Sequence, residues 1–175
     1  MKPSLQSAWL PVRVEAMTEA DLDAVVAIEA ASFTSPWPRE IFRQELHDPD
    51  LAHLFVARVA AGERQGHIAG YACAWLITDE LHITNFAVHP DFRRQHVGQQ
   101  LLAGVLTRAR ELGARQAILE VRASNRGAQR LYARFGFAPV AVRKRYYSDN
   151  HEDAIVMFLD DIGVRLPTPP SAHSE

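Results

Sequence analysis

The chain has 175 residues, of which 47% are hydrophobic and 23% charged; this is enough apolar surface to close one core and too little chain for a second full domain. A formal net charge of −2 gives no bulk attraction to nucleic acid or to an acidic membrane, so neither is expected as a partner. The single cysteine, Cys73, excludes an internal disulfide. Residues 1–8 lack an export pattern, and no apolar run approaches the ~20 residues of a membrane helix, which together give a cytoplasmic expectation.

No internal repeat is evident. Residues 12–16 read as a first strand, after which Thr18 and Asp21 have the spacing of a capping box. Leu22, Val25, Val26 and Phe33 mark a helix, and Ser35-Pro36-Trp37-Pro38 breaks it at the surface. Pro38 then suits the first turn of a short helix whose apolar side is Ile41, Phe42 and Leu46. The period changes to strand-like in 54–59, 68–77 and 81–88, punctuated by Gly62, Gly66 and Asp79-Glu80, which predicts an antiparallel meander. Cys73 falls inside it and reads as a core thiol. Next comes a helix with Val97, Leu101, Leu102, Val105, Leu106, Ala109 and Leu112 on one side, closed by Gly113. Residues 117–121 form a nearly continuous apolar strand. Ser124 or Asn125 can cap a helix running to Phe135 and ending at Gly136, and two last strands follow at 137–147, irregular around Pro139, and 155–159. The Pro-rich tail cannot build a core. The expected organisation is an extension at 1–9, one α+β domain at 10–160 and a disordered tail at 161–175.

Two stretches carry chemistry. The first is Arg93-Arg94-Gln95-His96-Val97-Gly98-Gln99-Gln100, between a strand and the start of an amphipathic helix. Unpaired N–H groups and the positive end of the helix dipole can hold a pyrophosphate there, and a small residue at Gly98 lets phosphate approach the backbone. A basic connection into a solvated helix reads equally well from these residues alone. The second stretch holds Glu120 and Tyr132. Alternation sets Ile118, Glu120 and Arg122 on one face and Leu119 and Val121 on the other, so Glu120 either faces a cleft or pairs with Arg122 or a neighbour at the sheet edge. Tyr132 lies seven residues after Asn125, on the stripe of Ala128, Leu131 and Phe135, where it is either a core aromatic or a hydroxyl donor.

The phosphate turn resembles the signature of the GNAT superfamily of acetyltransferases: Arg or Gln, two residues, Gly, one residue, then Gly or Ala. Here that is Arg93, Arg94-Gln95, His96, Val97, Gly98, with His96 in place of the first glycine; His reaches positive φ less easily than Gly. The resemblance covers roughly 12–159 and is closest to the RimI-type branch, through Ser35-Pro36-Trp37, Asn85-Phe86-Ala87-Val88, Leu119-Glu120-Val121-Arg122, Ser124-Asn125, Arg143-Lys144-Arg145-Tyr146-Tyr147 and Glu152-Asp153-Ala154-Ile155-Val156-Met157. That branch acetylates the N-terminal alanine of ribosomal protein eighteen of the small subunit. The resemblance implies the GNAT fold, a mixed, mostly antiparallel sheet of about six to seven strands flanked by about four helices.

It also implies acetyl-CoA as co-substrate, held by Phe86, Ala87, Val88, Arg93, Arg94, Gln95, His96, Val97, Gly98, Gln99, Asn125 and Tyr132. Glu120 would be the base and Tyr132 the acid, with the Val88 N–H steadying the oxyanion. Trp37 and Tyr147 would wall a slot for the acceptor peptide, although each is as readily a half-buried aromatic closing the core. Asn125 is equally a helix cap. Small amines such as a polyamine or an aminoglycoside, and protein lysines, are the alternative acceptors, and a non-catalytic acetyl-CoA sensor is a further reading. No metal is expected: His82, His89 and His96 recur every seven residues, with His47 and His53 nearby, but the three fall on a strand, a turn and a loop, without a cysteine pair.

Overall fold

The seven strands in a computed structural model, which describes residues 9–163, form one sheet in the order β1-β2-β3-β4-β5-β7-β6. They are β1 (Val12–Ala16), β2 (Ala52–Val59), β3 (Ile68–Ile77), β4 (Glu80–Val88), β5 (Gln116–Arg122), β6 (Ala138–Arg143) and β7 (Ala154–Leu159), with helices α1 (Leu22–Ser32), α2 (Arg39–Leu46), α3 (Val97–Glu111) and α4 (Arg126–Arg134). Strands β1 to β4 are the expected antiparallel meander. Strand β5 returns parallel to β4 after the α3 crossover, because parallel neighbours need a connection long enough to hold a helix. β7 and β6 then add antiparallel.

Each face of the sheet has its own core. The α3 stripe of Val97, Leu101, Leu102, Val105, Leu106 and Ala109 is buried with Leu81, Ile83, Leu119 and Val121, and α4 adds Tyr132 to the same cluster. On the opposite face Leu22, Val25 and Ile28 of α1 and Phe42 of α2 pack with Val56, Tyr71 and Cys73. Cys73 is the expected core thiol, and burial pushes its pKa well up. Gly113 (φ +99°) and Gly136 (φ +94°) take the left-handed conformation that ends α3 and α4.

One irregularity in β4 shapes the site. The β3–β4 register runs Cys73↔Asn85 and then Ala74↔Ile83, leaving Thr84 as an extra residue. A bulge exchanges the faces of everything beyond it. Before it, Leu81 and Ile83 face α3; after it, Ala87 packs with the α1 cluster while Phe86 and Val88 pack against the α3 cluster. Pairing with β5 ends at the same place, with Ile83↔Leu119 as its last pair. Past this point the two strands part, and their gap is the site.

Some boundaries differ from the sequence reading. The penultimate strand stops at Arg143 rather than 147, because Arg145 takes φ +53° and the chain enters a turn closed by Tyr147 N–H to Glu152 O (3.2 Å) and His151 N–H to Tyr147 O (2.8 Å). The expected capping box of Thr18 and Asp21 is present: Asp21 Oδ2 accepts the Thr18 N–H (2.9 Å), and the Asp21 N–H also reaches the Thr18 carbonyl (3.0 Å) in the 3-10 turn that precedes α1. The domain also reaches past both expected edges: Trp9 stacks on His96, and Ile162 is buried with its N–H on Arg115 O. The expected tail from 164 onward, like residues 1–8, lies outside the described residues.

Candidate active site

A cleft of about 1010 Å³ opens where β4 and β5 part. Its walls include Trp37, Phe86, Ala87, Val88, Arg93, Arg94, His96, Val97, Gly98, Gln99, Glu120, Asn125, Tyr132 and Tyr147, so the fold gathers nearly every residue singled out in the sequence. Gln95 is the exception. Its side-chain amide turns back to the Asp91 carbonyl (3.1 Å) and its own carbonyl accepts the Leu10 N–H (3.2 Å).

At the turn from Arg93 to Gly98 the backbone is left-handed twice, at Arg94 (φ +59°) and at His96 (φ +62°, ψ +18°). The position at which the signature has glycine therefore keeps the conformation glycine favours, and a histidine bears the steric cost. The Trp9 indole stacks on the imidazole, with centroids 4.5 Å apart and planes 19° from parallel. Gln100 holds this N-terminal strap in place, donating to Leu10 O (2.7 Å) and accepting from Val12 N–H (3.1 Å). A Cβ on Gly98 would point into the cleft, 3.4 Å from Leu131 Cδ2 and 3.6 Å from Val88 Cγ2. Arg93 reaches back to the Val88 carbonyl (Nε, 3.1 Å) and to Ser32 Oγ. Because the neighbouring His89 N–H is paired to Ala69 on the β3 side, strand alternation turns the Val88 N–H toward the gap.

Glu120 and Tyr132 reach the cleft from opposite faces of the sheet. Glu120 Oε2 lies 2.7 Å from His82 Nε2 and Oε1 lies 3.6 Å from Arg143 Nη2, while Arg122, two residues on, pairs with the late loop instead. The His82 hydrogen bond, aided by the charge of Arg143, holds the Glu120 carboxyl below the usual glutamate range against the opposing effect of burial. Tyr132, buried between Phe86 and Phe137, has its pKa pushed well above the ordinary tyrosine value by burial. Among the described residues its hydroxyl has no hydrogen-bond partner. Asn125 is the cap of α4, its Oδ1 accepting the Ala128 N–H at 3.1 Å.

Residues 22–137 match the model of the Acetyltransferase (GNAT) family. The chain belongs to the GNAT family of acetyltransferases. It is 43% identical over 146 residues to a Bacillus subtilis protein named putative ribosomal protein bS18-alanine N-acetyltransferase, covering 83% of this chain and 93% of that one. The Escherichia coli K12 ribosomal protein bS18-alanine N-acetyltransferase is 32% identical over 148 residues, covering 83% and 95%. The crystal structure of the E. coli S18-alanine enzyme superposes with a TM-score of 0.75 at 28% identity, covering 94% of this chain and all of that one. The crystal structure of Arabidopsis thaliana NAA60 in complex with acetyl-CoA shares the fold, with a TM-score of 0.75 at 17% identity over 85% and 98% of the chains.

Three features of this GNAT site escaped the sequence reading. Glu29 is buried to 2% exposure at the end of the α1 stripe, with Oε1 accepting the Trp37 N–H (2.8 Å) and Oε2 accepting Asn85 Nδ2 (3.0 Å) and the Tyr71 hydroxyl. Burial pushes its pKa up against these donors. Its signal was a carboxylate seven residues after Leu22, in register with the apolar stripe. The second is His82, whose alternation with Glu120 across β4 and β5 shows only once the parallel register is known. The third is a clamp on the late loop: Arg122 pairs with Asp149 (2.8 Å) and Glu152 (3.3 Å) and lies 3.9 Å from the centre of the Tyr147 ring, while Thr34 donates to Asp149 across the cleft at 2.5 Å. Burial pushes the Tyr147 hydroxyl up to about 12.

The histidine series is dispersed. His82 bonds Glu120, His89 Nδ1 accepts the Asp91 N–H and His96 stacks on Trp9. Among the described residues no group of three or more His, Cys, Asp or Glu side chains is placed to hold a metal ion, and no helix is long and apolar enough to cross a membrane.

Proposed function

We propose that this GNAT enzyme transfers the acetyl group of acetyl-CoA to the α-amine of the N-terminal alanine of ribosomal protein bS18, and that it does so in the cytoplasm. The observation that carries the reading is the 43% identity, over 83% of this chain and 93% of the relative, to the B. subtilis protein named putative bS18-alanine N-acetyltransferase. The cleft fits the co-substrate: its floor is a strand edge with a free-facing N–H, and one end is a helix start with two arginines and a glycine whose Cβ would fill the space beside Val88 and Leu131. Phe86, Ala87 and Val88 line the pantetheine arm. Arg93, Arg94, His96, Val97, Gly98 and Gln99 surround the diphosphate, and Gln95 supports that turn from behind through Asp91.

Bound acetyl-CoA supplies an acetyl group activated as a thioester. Glu120, ionised at neutral pH, takes a proton from the incoming ammonium, directly or through water. The Val88 N–H donates to the oxygen on which negative charge grows. As the N–C bond forms and the C–S bond breaks, the Tyr132 hydroxyl gives its proton to the sulfur, and the second proton shed by the nitrogen as it becomes an amide restores the phenol; burial keeps the proton on the phenol until the sulfur leaves. An α-amine with an unperturbed pKa of roughly 7.7 to 8.0 is already partly neutral, so Glu120 needs only to assist. Trp37 and Tyr147, on loops of the α1 and β7 sides, wall the acceptor slot.

The test is incubation with acetyl-CoA and a peptide carrying the bS18 N-terminus, beside lysine-only peptide and aminoglycoside controls, read by mass spectrometry. Acetyl gain confined to the peptide α-amine is expected. Acetylated lysine or aminoglycoside with an unmodified α-amine refutes the substrate assignment, and coenzyme binding without product in any tube indicates a sensor.

A further inference from the structure

Glu120 meets a cation-forming group at each oxygen. His82 Nε2 is 2.7 Å from Oε2 and Arg143 Nη2 is 3.6 Å from Oε1. The contact follows from register: His82 on β4 pairs with Ile118 on β5, and Glu120 lies two residues on along the same face. The side chain of Glu120 is 8% exposed and that of His82 29%, so the imidazole links the nearly buried carboxylate to solvent. Other groups enclose the pair. Trp75 of β3 sets the edge of its ring against His82 and gives its indole N–H to Glu45 of α2 (3.0 Å), Glu80 precedes His82 on the same strand face and is held by Gln116, and Tyr147 of the late loop faces Glu120.

At 2.7 Å two lone pairs would repel, so Nε2 carries a proton and the ring is either the neutral Nε2–H tautomer or the imidazolium. The two states differ by a proton at Nδ1 and by one positive charge beside Glu120. Only the neutral state leaves the carboxylate with most of its basicity.

We propose that His82 is a positioning residue that sets the proton affinity of Glu120: neutral His82 fixes Oε2 through its Nε2–H and leaves the carboxylate basic, whereas protonated His82 turns it into an ion pair that accepts the acceptor's proton poorly. The inference rests on the reading of Glu120 as the base. No proton passes through the ring. The acceptor's proton goes to the Glu120 carboxylate, the Nε2 proton stays in place, and His82 exchanges with solvent at Nδ1.

The experiment compares kcat/KM for the peptide acceptor between wild type and His82→Gln from about pH 5.5 to about pH 8.5. Glutamine keeps an N–H donor and cannot titrate. Taking the ratio of variant to wild type cancels the ionisation of the acceptor amine. One pKa unit of lost basicity, felt by a half-transferred proton, is worth roughly threefold in rate, so the ratio should fall about threefold from the acid to the alkaline end. A ratio independent of pH overturns the proposal. Arg143→Gln removes a charge that does not titrate and should give a flat ratio; an equal slope in both variants overturns the assignment to His82.

Glu120→Gln separates the two layers. Reduced kcat/KM in that variant with a flat His82→Gln ratio sinks the inference and spares the base, while wild-type kcat/KM in Glu120→Gln removes both. Wild-type protein gives a check without substitution: the carbon resonance of the Glu120 carboxyl should move in step with the His82 ring titration, and a resonance blind to it refutes the coupling.

Discussion

Replacing Glu29 by glutamine should loosen Trp37, one wall of the proposed acceptor slot, while leaving the chemistry intact. The carboxylate serves three donors with two oxygens: Trp37 N–H on one side, Asn85 Nδ2 and the Tyr71 hydroxyl on the other. A glutamine has one acceptor oxygen, and it is best used where two donors converge. Its NH2 is then left facing the Trp37 N–H. Loss of a hydrogen bond to a charged acceptor costs about 1.5 to 3 kcal/mol, offset in part because a buried charge is also removed, which leaves a net of roughly 1 to 2 kcal/mol. With the other two bonds kept, the cost falls on the segment that presents Trp37. Since 1.4 kcal/mol is about a factor of ten in affinity, KM for the peptide should rise roughly five- to thirtyfold, with kcat and the KM for acetyl-CoA within about twofold. The melting temperature should drop by only about 2 to 8 °C. Steady-state kinetics with each substrate varied in turn makes the measurement. A peptide KM unchanged in a folded variant would refute the anchoring role, and a collapse of kcat would show that Glu29 acts on the reacting centre instead.

Tyr132→Phe should lower kcat at least tenfold with unchanged melting temperature and acetyl-CoA affinity, because the lost hydroxyl has no hydrogen-bond partner among the described residues; wild-type turnover would remove its acid role. Trp9→Ala deletes the ring stacked on His96. With an aromatic pair worth about 0.5 to 1.5 kcal/mol, calorimetry should find acetyl-CoA bound roughly two- to tenfold more weakly, with kcat at saturation preserved; unaltered affinity would show that the stack does not support the turn. Gly104→Ala puts a Cβ 2.5 Å from Val14 Cβ, where α3 crosses β1. Overpacking of about 1 to 3 kcal/mol should outweigh the gain of up to ~1 kcal/mol in helix propensity, so the variant should melt several degrees lower, and a higher melting point would contradict the packing argument.

Local pattern carried the fold reading a long way. The α3 stripe from Val97 to Ala109, the period-2 runs of the meander and the glycines at 113 and 136 each encode their element within a few residues, and the structure has them in place. The penultimate strand is shorter than the sequence suggests because its turn depends on Arg145 at positive φ and on the Asp153 carboxylate, which accepts from the Arg145 N–H and the Lys144 ammonium. Gln95 was placed in the cleft by its position in a linear motif. Its actual direction is decided by the 3-10 turn at Pro90–Phe92, whose Asp91 carbonyl it meets. Glu29, His82 and the Arg122 clamp escape a local reading for a shared reason: apart from Trp37, eight residues after Glu29, their hydrogen-bond partners lie 27 to 56 residues away in sequence, and no local period reports such a meeting.

The extra residue at Thr84 links these observations. Because it reverses the alternation of β4, Asn85 turns toward Glu29 on the α1 side while Phe86 and Val88 turn toward α3 and α4. His82 precedes the bulge and can still meet Glu120 across the paired part of β4 and β5; Val88 follows it, where the partner strand has left and its edge is open. On the proposed reading a coenzyme would meet one face of the sheet and an acceptor the other, with Tyr132 and Glu120 on the two sides of a single gap. A regular β4 would keep Phe86 and Val88 on the α1 face and continue the pairing with β5, and neither half of the site could form.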